Sequence, residues 1–218
     1  MFWIHFFNVK FIFFATDCTD LMDFYFNTIL VIFLICAICG KKNKFYIKKM
    51  NPKHPSESLT ILTDLVLPSE TNPLNNLFGG ELLARMDRAA SIAARRHSRR
   101  IVVTASVNHV AFNRAIPLGA VVTIEAKVSR SFKSSMEVFI DVWVEDRESG
   151  SRTKANEAIY TFVAVDDSGR PVEVPPILPE TELEIQRFDA ALRRKQLSLL
   201  LAGKIKPSEA TELKALFL

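Results

Sequence analysis

From residue 99 to residue 165 the sequence repeats one pattern four times: a run of alternating, β-branched residues closed by a short polar turn. The runs are 99–112, 120–130, 136–146 and 154–165, separated at 113–119, 131–135 and 147–152, and Asp166-Asp167-Ser168-Gly169 closes the last. Connections this short join antiparallel neighbours in hairpins. A sheet of this kind needs cover, and only one helical pattern precedes it. Residues 81–97 are good helix formers with five Ala and no internal Pro or Gly. A further strand, 59–67, comes before that helix and is closed by Pro68. One apolar helix and a run of antiparallel strands predict an α+β fold, most simply a sheet curled around the helix. In the third run, Val138, Ile140, Val142 and Val144 make one face apolar, while Asp141 and Glu145 mark the other. Phe139 and Trp143 share that second face, so it too is predicted to be partly covered.

The ends of the chain read differently. After a Pro-rich linker (Pro171, Pro175, Pro176, Pro179), Thr181 with Glu184 forms a capping box that opens a helix to about Ala202. Its stripe is Ile185, Phe188, Leu192 and Leu199, and residues 207–217 are predicted to add one short helix. Residues 1–49 hold ten of the 17 Phe, all three Cys and none of the ten Pro. They carry six Lys against three Asp, which leaves residues 50–218 with 22 basic and 21 acidic side chains. That near-neutral remainder gives no electrostatic footprint for nucleic acid. Residues 21–40 fall slightly short of a full membrane span, and the Lys41–Lys49 cluster would lie on the cytoplasmic side of one. The basic cluster lies on the wrong side for a secretory signal. The expected partition is a leader at 1–49, either outside the natural protein or a short membrane anchor, a domain at 50–170, and a helical extension at 171–218. Residues 50–218 contain no Cys, which suits a reducing compartment, and a cytoplasmic location is expected.

Asp87 is the residue out of place. On a helical wheel it falls at the centre of a stripe of Gly80, Leu83, Ala84, Ala90, Ser91 and Ala94, opposite Glu81, Arg85, Arg88, Arg95 and Arg96. The positions three and four residues away hold no basic side chain. Two readings stand: a carboxylate open to water or bonded to a neighbouring strand, or a base strengthened by burial. Gly79-Gly80 at the helix start admits a close approach to the first helical N–H groups, a setting for polarising a carbonyl, although an ordinary turn reads the same way. Asn72, Asn75 and Asn76 are equally compatible with a turn. The four His are scattered without metal spacing, and no nucleophile elbow, P-loop or dinucleotide fingerprint occurs. The basic run Arg95, Arg96, Arg99, Arg100 reads as a solvated helix end that could also meet phosphates.

The string Thr71-Asn72-Pro73-Leu74-Asn75-Asn76-Leu77-Phe78-Gly79-Gly80, then Met86-Asp87 and Val102 to Val107, resembles the hotdog-fold acyl-CoA thioesterases. Ser135-Met136-Glu137-Val138, Tyr160 to Asp166, and Val174-Pro175-Pro176 with Pro179 to Glu182 extend the resemblance over about residues 57–190. It implies an antiparallel sheet wrapped around a long central helix, homodimers joined edge to edge, often a trimer of dimers, and hydrolysis of acyl-CoA. By motif position, Asn72 and Asp87 take the places of the family's catalytic Asn and acidic residue, contributed by different subunits. Phe78 stands where many relatives have His, which bears on substrate preference.

On this reading Gly80 N–H polarises the thioester carbonyl, Asp87 activates water or attacks directly to give an anhydride, and Asn72 orients water or substrate. No cofactor and no metal are required, since coenzyme A is part of the substrate. Arg130, Lys133 and Lys154 are the candidates for its phosphates, and Ser134 and Ser135 for its pantetheine arm, with plain surface and turn roles as the alternatives. No nucleic-acid partner is expected, and a membrane only if residues 21–40 are an anchor. The competing functions are an acyl-CoA-binding module without turnover and a dehydratase. The latter needs a His that the Gly79-Gly80 motif lacks.

Overall fold

The computed structural model describes Phe2–Phe6, Val9–Phe13 and residues 50–217. The chain divides into two compact units, Met1–Lys49 and Met50–Leu218. In the first, β1 (Phe2–Phe6) pairs antiparallel with β2 (Val9–Phe13), Phe2 opposite Phe13. The apolar stretch 21–40 lies outside the described residues. Among those residues no helix is long and apolar enough to cross a membrane.

In the second unit the alternating runs become strands whose order in the sheet is β3-β5-β6-β7-β4, antiparallel throughout. They are β3 (Thr60–Leu65), β4 (Ile101–Ala111), β5 (Val121–Ser131), β6 (Ser135–Glu145) and β7 (Arg152–Val165). The single helix of the concave side, α1 (Gly79–Ser98), begins two residues earlier than predicted, with both glycines inside it. Its buried stripe is Leu82, Met86, Ala89, Ala90, Ala93, Ala94 and His97. Four small side chains on that stripe let the sheet close tightly on the helix. Val122, Ile124, Ala126, Met136, Val138, Ile140, Val142, Tyr160 and Phe162 pack against it, all at most 2% exposed. Each large aliphatic or aromatic side chain removed from water here contributes about 1.5–3 kcal/mol.

The other face of the sheet is covered by α2 (Glu182–Leu201), opened by the predicted capping box: Thr181 Oγ1 accepts from Glu184 N–H. The cover differs in kind from the predicted apolar stripe, since Ile185 is exposed and Ala191 is the helix's buried residue. Cations on aromatic rings hold this layer: Arg187 lies 3.7 Å from the Phe139 centroid, Arg130 3.9 Å from Phe188, and Lys195 3.7 Å from Phe132. Arg194 donates to both oxygens of buried Glu137, at 2.7 and 3.0 Å, and Arg187 pairs with Asp141 at 2.9 Å. Residues 207–217, predicted as one helix, form a 3-10 turn at Pro207–Glu209 and a single turn, α3 (Thr211–Lys214).

β4 is an edge. It pairs with β7 on one side and with nothing on the other among the described residues. Ile101, Val103 and Val107 are about half exposed, at 53, 48 and 47%.

Candidate active site

The site is assembled from the loop before α1, the first turn of α1 and the flank that α1 turns toward β4. A half-buried ion pair fastens the loop. Arg85, which the wheel puts on the solvent side, is 3% exposed and donates to Glu70 at 2.7 Å. Glu70 lies below the usual carboxylate range, because Leu67 N–H and the Arg85 guanidinium both bond its charged form. Its carbonyl accepts from Phe78 N–H at 2.8 Å, which fixes the approach to the helix. Within the loop, Asn72 Oδ1 accepts from Leu74 N–H (2.9 Å) and Asn76 N–H (3.2 Å), and Asn75 takes the left-handed conformation at φ 54°. Asn72 Oδ1 thus shapes a turn, while its NH2 has no acceptor among the described residues.

At the helix start, Phe78 makes no side-chain cap and the first hydrogen bonds go from Glu81 and Leu82 N–H to Phe78 O. The N–H groups of Gly79 and Gly80 have no acceptor among the described residues, as the first turn of a helix dictates. Gly80 is open to solvent, with the exposed Phe78 ring beside it: a Cβ placed on Gly80 would meet that ring at 3.0 Å. Phe112, also exposed, sits against Gly79 at 3.7 Å by the same measure. Two unpaired N–H donors between two phenyl rings can polarise a carbonyl whose substituents are apolar.

Asp87 sits two turns further along, about 10 Å at 1.5 Å per residue. It is half-buried, at the flank of the core stripe rather than its centre, and Leu83, Ala84 and Ser91 beside it are also half-buried. It has no ion-pair partner among the described residues. Thr104 of β4 donates its hydroxyl to Asp87 Oδ1 at 2.8 Å. That bond orients the carboxylate and leaves Oδ2 for a water. Beneath it, the buried Tyr160 phenol is pushed up to about 12 by desolvation and by the negative charge of Asp87, and it donates to Leu83 O at 3.3 Å. It stays protonated at any physiological pH. Thr104 and Tyr160 were not singled out as site residues in the sequence. No hydrogen bond joins Asn72 or Gly80 to Asp87 within the chain.

The five residues expected to meet coenzyme A are mostly engaged elsewhere. Lys154 pairs with Asp141 (2.8 Å) and Glu157 (2.6 Å). Arg130 donates to Phe188 O at 3.0 Å beneath α2, and Ser135 Oγ accepts from Lys195 at 3.2 Å. Ser134 holds β7 through its carbonyl, which accepts from Ala164 N–H at 2.9 Å, and Lys133 is exposed.

Comparison with known proteins bears on this arrangement. The sequence pattern of the thioesterase superfamily matches residues 74–151. The acyl-CoA thioester hydrolase YkhA of Bacillus subtilis, itself uncharacterized, is 44% identical over 138 residues, which cover 63% of this chain and 80% of that protein. The chain belongs to the thioesterase superfamily. Among solved thioesterases, an apo-hexameric acyl-CoA thioesterase superposes with a TM-score of 0.68 at 37% identity, covering 70% of this chain and 98% of the other. The acyl-CoA hydrolase of Staphylococcus aureus, solved with butyryl coenzyme A, coenzyme A and coenzyme A disulfide, superposes with a TM-score of 0.65 at 35% identity, covering 75% and 98%. The expected hotdog fold, an α+β sheet around a central helix with a C-terminal helical extension, is the fold observed. Three variants of the Staphylococcus enzyme, with an Asn, an Asp and a Thr each replaced by Ala, have also been solved. Those three residues have the same spacing along their chain as Asn72, Asp87 and Thr104 here.

Proposed function

We propose that this thioesterase-superfamily protein hydrolyses acyl-CoA to a free carboxylic acid and coenzyme A. The observation that carries the reading is Asp87: a carboxylate with no cation beside it, oriented by Thr104 on a half-buried helix flank. A carboxylate held this way, without a structural ion pair, is suited to proton transfer. The names of its relatives support the same chemistry.

The reaction runs in two stages. The thioester oxygen receives the free N–H groups at the start of α1, so negative charge develops against the positive end of the helix dipole. Asp87 Oδ2 takes a proton from water as the water oxygen bonds to the carbonyl carbon. When the tetrahedral centre collapses, the C–S bond breaks and Asp87 returns the proton to the departing sulfur. Asn72, through its free NH2, positions water or substrate. Direct attack by Asp87, with an anhydride that water then opens, uses the same groups.

Gly80 and Asp87 lie on one helix about 10 Å apart, so they do not converge on one carbonyl within a chain. A second copy paired antiparallel along the open edge of β4 solves this. It brings the helix start of one subunit, with Asn72 and Gly80, toward Asp87 of the other. The half-exposed Ile101, Val103 and Val107 become covered in the same step. A homodimer, and dimers assembled further as in the hexameric relatives, is the assembly that fits. Lys133 and Ser134, whose side chains have no partner among the described residues, are the residues proposed to meet the pantetheine arm.

The test is free-thiol release on a panel of acyl-CoAs from acetyl to palmitoyl, with Asp87→Asn alongside. Turnover abolished in a folded variant is the expected result. A folded wild-type protein that binds the esters without releasing thiol would instead make this a carrier or sensor of acyl-CoA.

A further inference from the structure

We infer that Lys195 is a modification site, at which an acyl-CoA thioester acylates the protein itself and leaves an amide on Nζ. This goes beyond the hydrolase reading and needs only the thioester. Lys195 lies on α2, half-buried, over the face of the sheet opposite α1. Its Nζ stands 3.7 Å from the Phe132 centroid and donates to Ser135 Oγ at 3.2 Å, and no carboxylate pairs with it among the described residues. The other lysines of residues 50–218 are placed differently. Lys154 pairs with Asp141 and Glu157, Lys127 lies 3.7 Å from Glu184, and Lys53 donates to His97 O. Lys133, Lys204, Lys206 and Lys214 are exposed, so water solvates their charge.

The groups around Nζ favour the free amine. Phe132 by itself would favour the ammonium, but it serves two cations: Arg130 of β5 lies 5.8 Å from the same centroid. Burial first, and then the charge of Arg130, hold the Lys195 amine below its ordinary value. The carboxylates nearby do not restore it. Glu137 on β6 is held by Arg194, while Asp189 on α2 and Glu212 on α3 act on Arg130. Lys154 runs the other way: burial pulls its amine down, yet hydrogen bonds to Asp141 and Glu157 keep it above the ordinary value. A lysine that is both desolvated and set beside another cation is activated as a nucleophile.

The step is a plain aminolysis. Nζ, having given one proton to solvent, attacks the thioester carbonyl carbon and forms the C–N bond. The tetrahedral centre collapses as the C–S bond breaks, and the proton that the nitrogen then sheds goes to the departing coenzyme A thiolate. The amide keeps an N–H for Ser135 Oγ and removes a positive charge from beside Arg130, so the cluster is relieved. Leu192 and Leu199, three residues before and four after Lys195, share its flank of α2 and are half-buried, which gives an acyl chain an apolar bed. On the hydrolase reading Asp87 consumes the same thioester, so the modification accumulates when acyl-CoA outruns turnover.

The experiment incubates the full-length Asp87→Asn protein, which spares the thioester, with butyryl-CoA and locates the added butyryl groups by intact mass and peptide mapping. The first group is expected on Lys195. Lys195→Arg keeps a cation over Phe132, and with it the fold, and loses that first group. Labelling that begins at the exposed lysines, a first group that survives Lys195→Arg, or no labelling of the folded protein overturns the assignment. Trace labelling with acetic anhydride across a pH series reads the amine without coenzyme A. Lys195 should reach half its limiting rate at lower pH than Lys133, and equal midpoints overturn the activation argued above. If the anhydride labels Lys195 first and butyryl-CoA does not, acyl-CoA is not the donor and the inference falls. Hydrolysis that persists in Asp87→Asn counts against Asp87 alone, because the position of the label still decides Lys195.

Discussion

On the proposed mechanism, Thr104 sets how well Asp87 can work. A carboxylate on a helix flank swings about its own bonds, and the 2.8 Å bond from Thr104 to one oxygen stops that motion. Removing the charge of Asp87 as Asn is expected to lower kcat by at least about 10³-fold, within the range for loss of a positioned base. Thr104→Ala is expected to lower kcat about 10–100-fold with a smaller change in KM, and Thr104→Ser to restore most of it. Steady-state kinetics on one acyl-CoA check both, and an unaltered kcat in Thr104→Ala would remove Thr104 from the site. Asp87 was legible in the sequence because a carboxylate with no basic neighbour at helical spacing is costly on a covered face. Thr104 was not legible as its partner, since the two are seventeen positions apart and meet only when β4 folds back along α1. Arg85 was misplaced for a related reason: its partner Glu70 lies in the loop, where helical periodicity gives no information.

At the scale of the element, α1 ends on a buried histidine. His97 is fully buried, and its Nε2 lies 2.7 Å from Pro175 O in the linker. Burial pushes its imidazole below the ordinary value, with the carbonyl of Pro175 opposing this only in part. The folded chain therefore resists a proton that the unfolded chain accepts below about pH 6.5. Stability should fall as pH drops through that value, by at most about 1.4 kcal/mol per pH unit, until the folded form also takes the proton. Chemical denaturation of wild type and His97→Gln between pH 5 and 8 checks this: the variant should lack that part of the slope. On the opposite face, Arg194→Ala leaves Glu137 buried beside Ser129 without its cation and should cost on the order of 3 kcal/mol, read as a lower denaturation midpoint. The strands themselves were legible to within about two residues, because alternation and turn chemistry agree along β4 to β7. The nature of the α2 layer was not. The capping box and apolar stripe locate the helix, but they do not reveal that arginines on phenyl rings and on buried carboxylates hold it down.

For the whole molecule, the proposed site needs two subunits, and this has a direct test. Neither Asn72→Ala nor Asp87→Asn homodimers would turn over. Co-refolding equal amounts should recover about a quarter of wild-type activity, since half the dimers are mixed and each has one intact site of two. No recovery would mean that each subunit works alone. A charge on the open edge, Val107→Lys, should lower the oligomer mass in sedimentation and abolish turnover together, leaving the circular dichroism of the subunit intact.

The half-exposed edge of β4 has a further consequence, one of timing. A newly made chain first exists alone, with eleven residues of strand offering unpaired amides and valine side chains to any other extended segment it meets. If the proposed dimer forms along this edge, pairing with its own kind is a race against pairing with something else. Its outcome depends on how quickly identical copies accumulate near one another, so slow or sparse synthesis would cost this protein more in aggregation than a monomeric enzyme of the same stability.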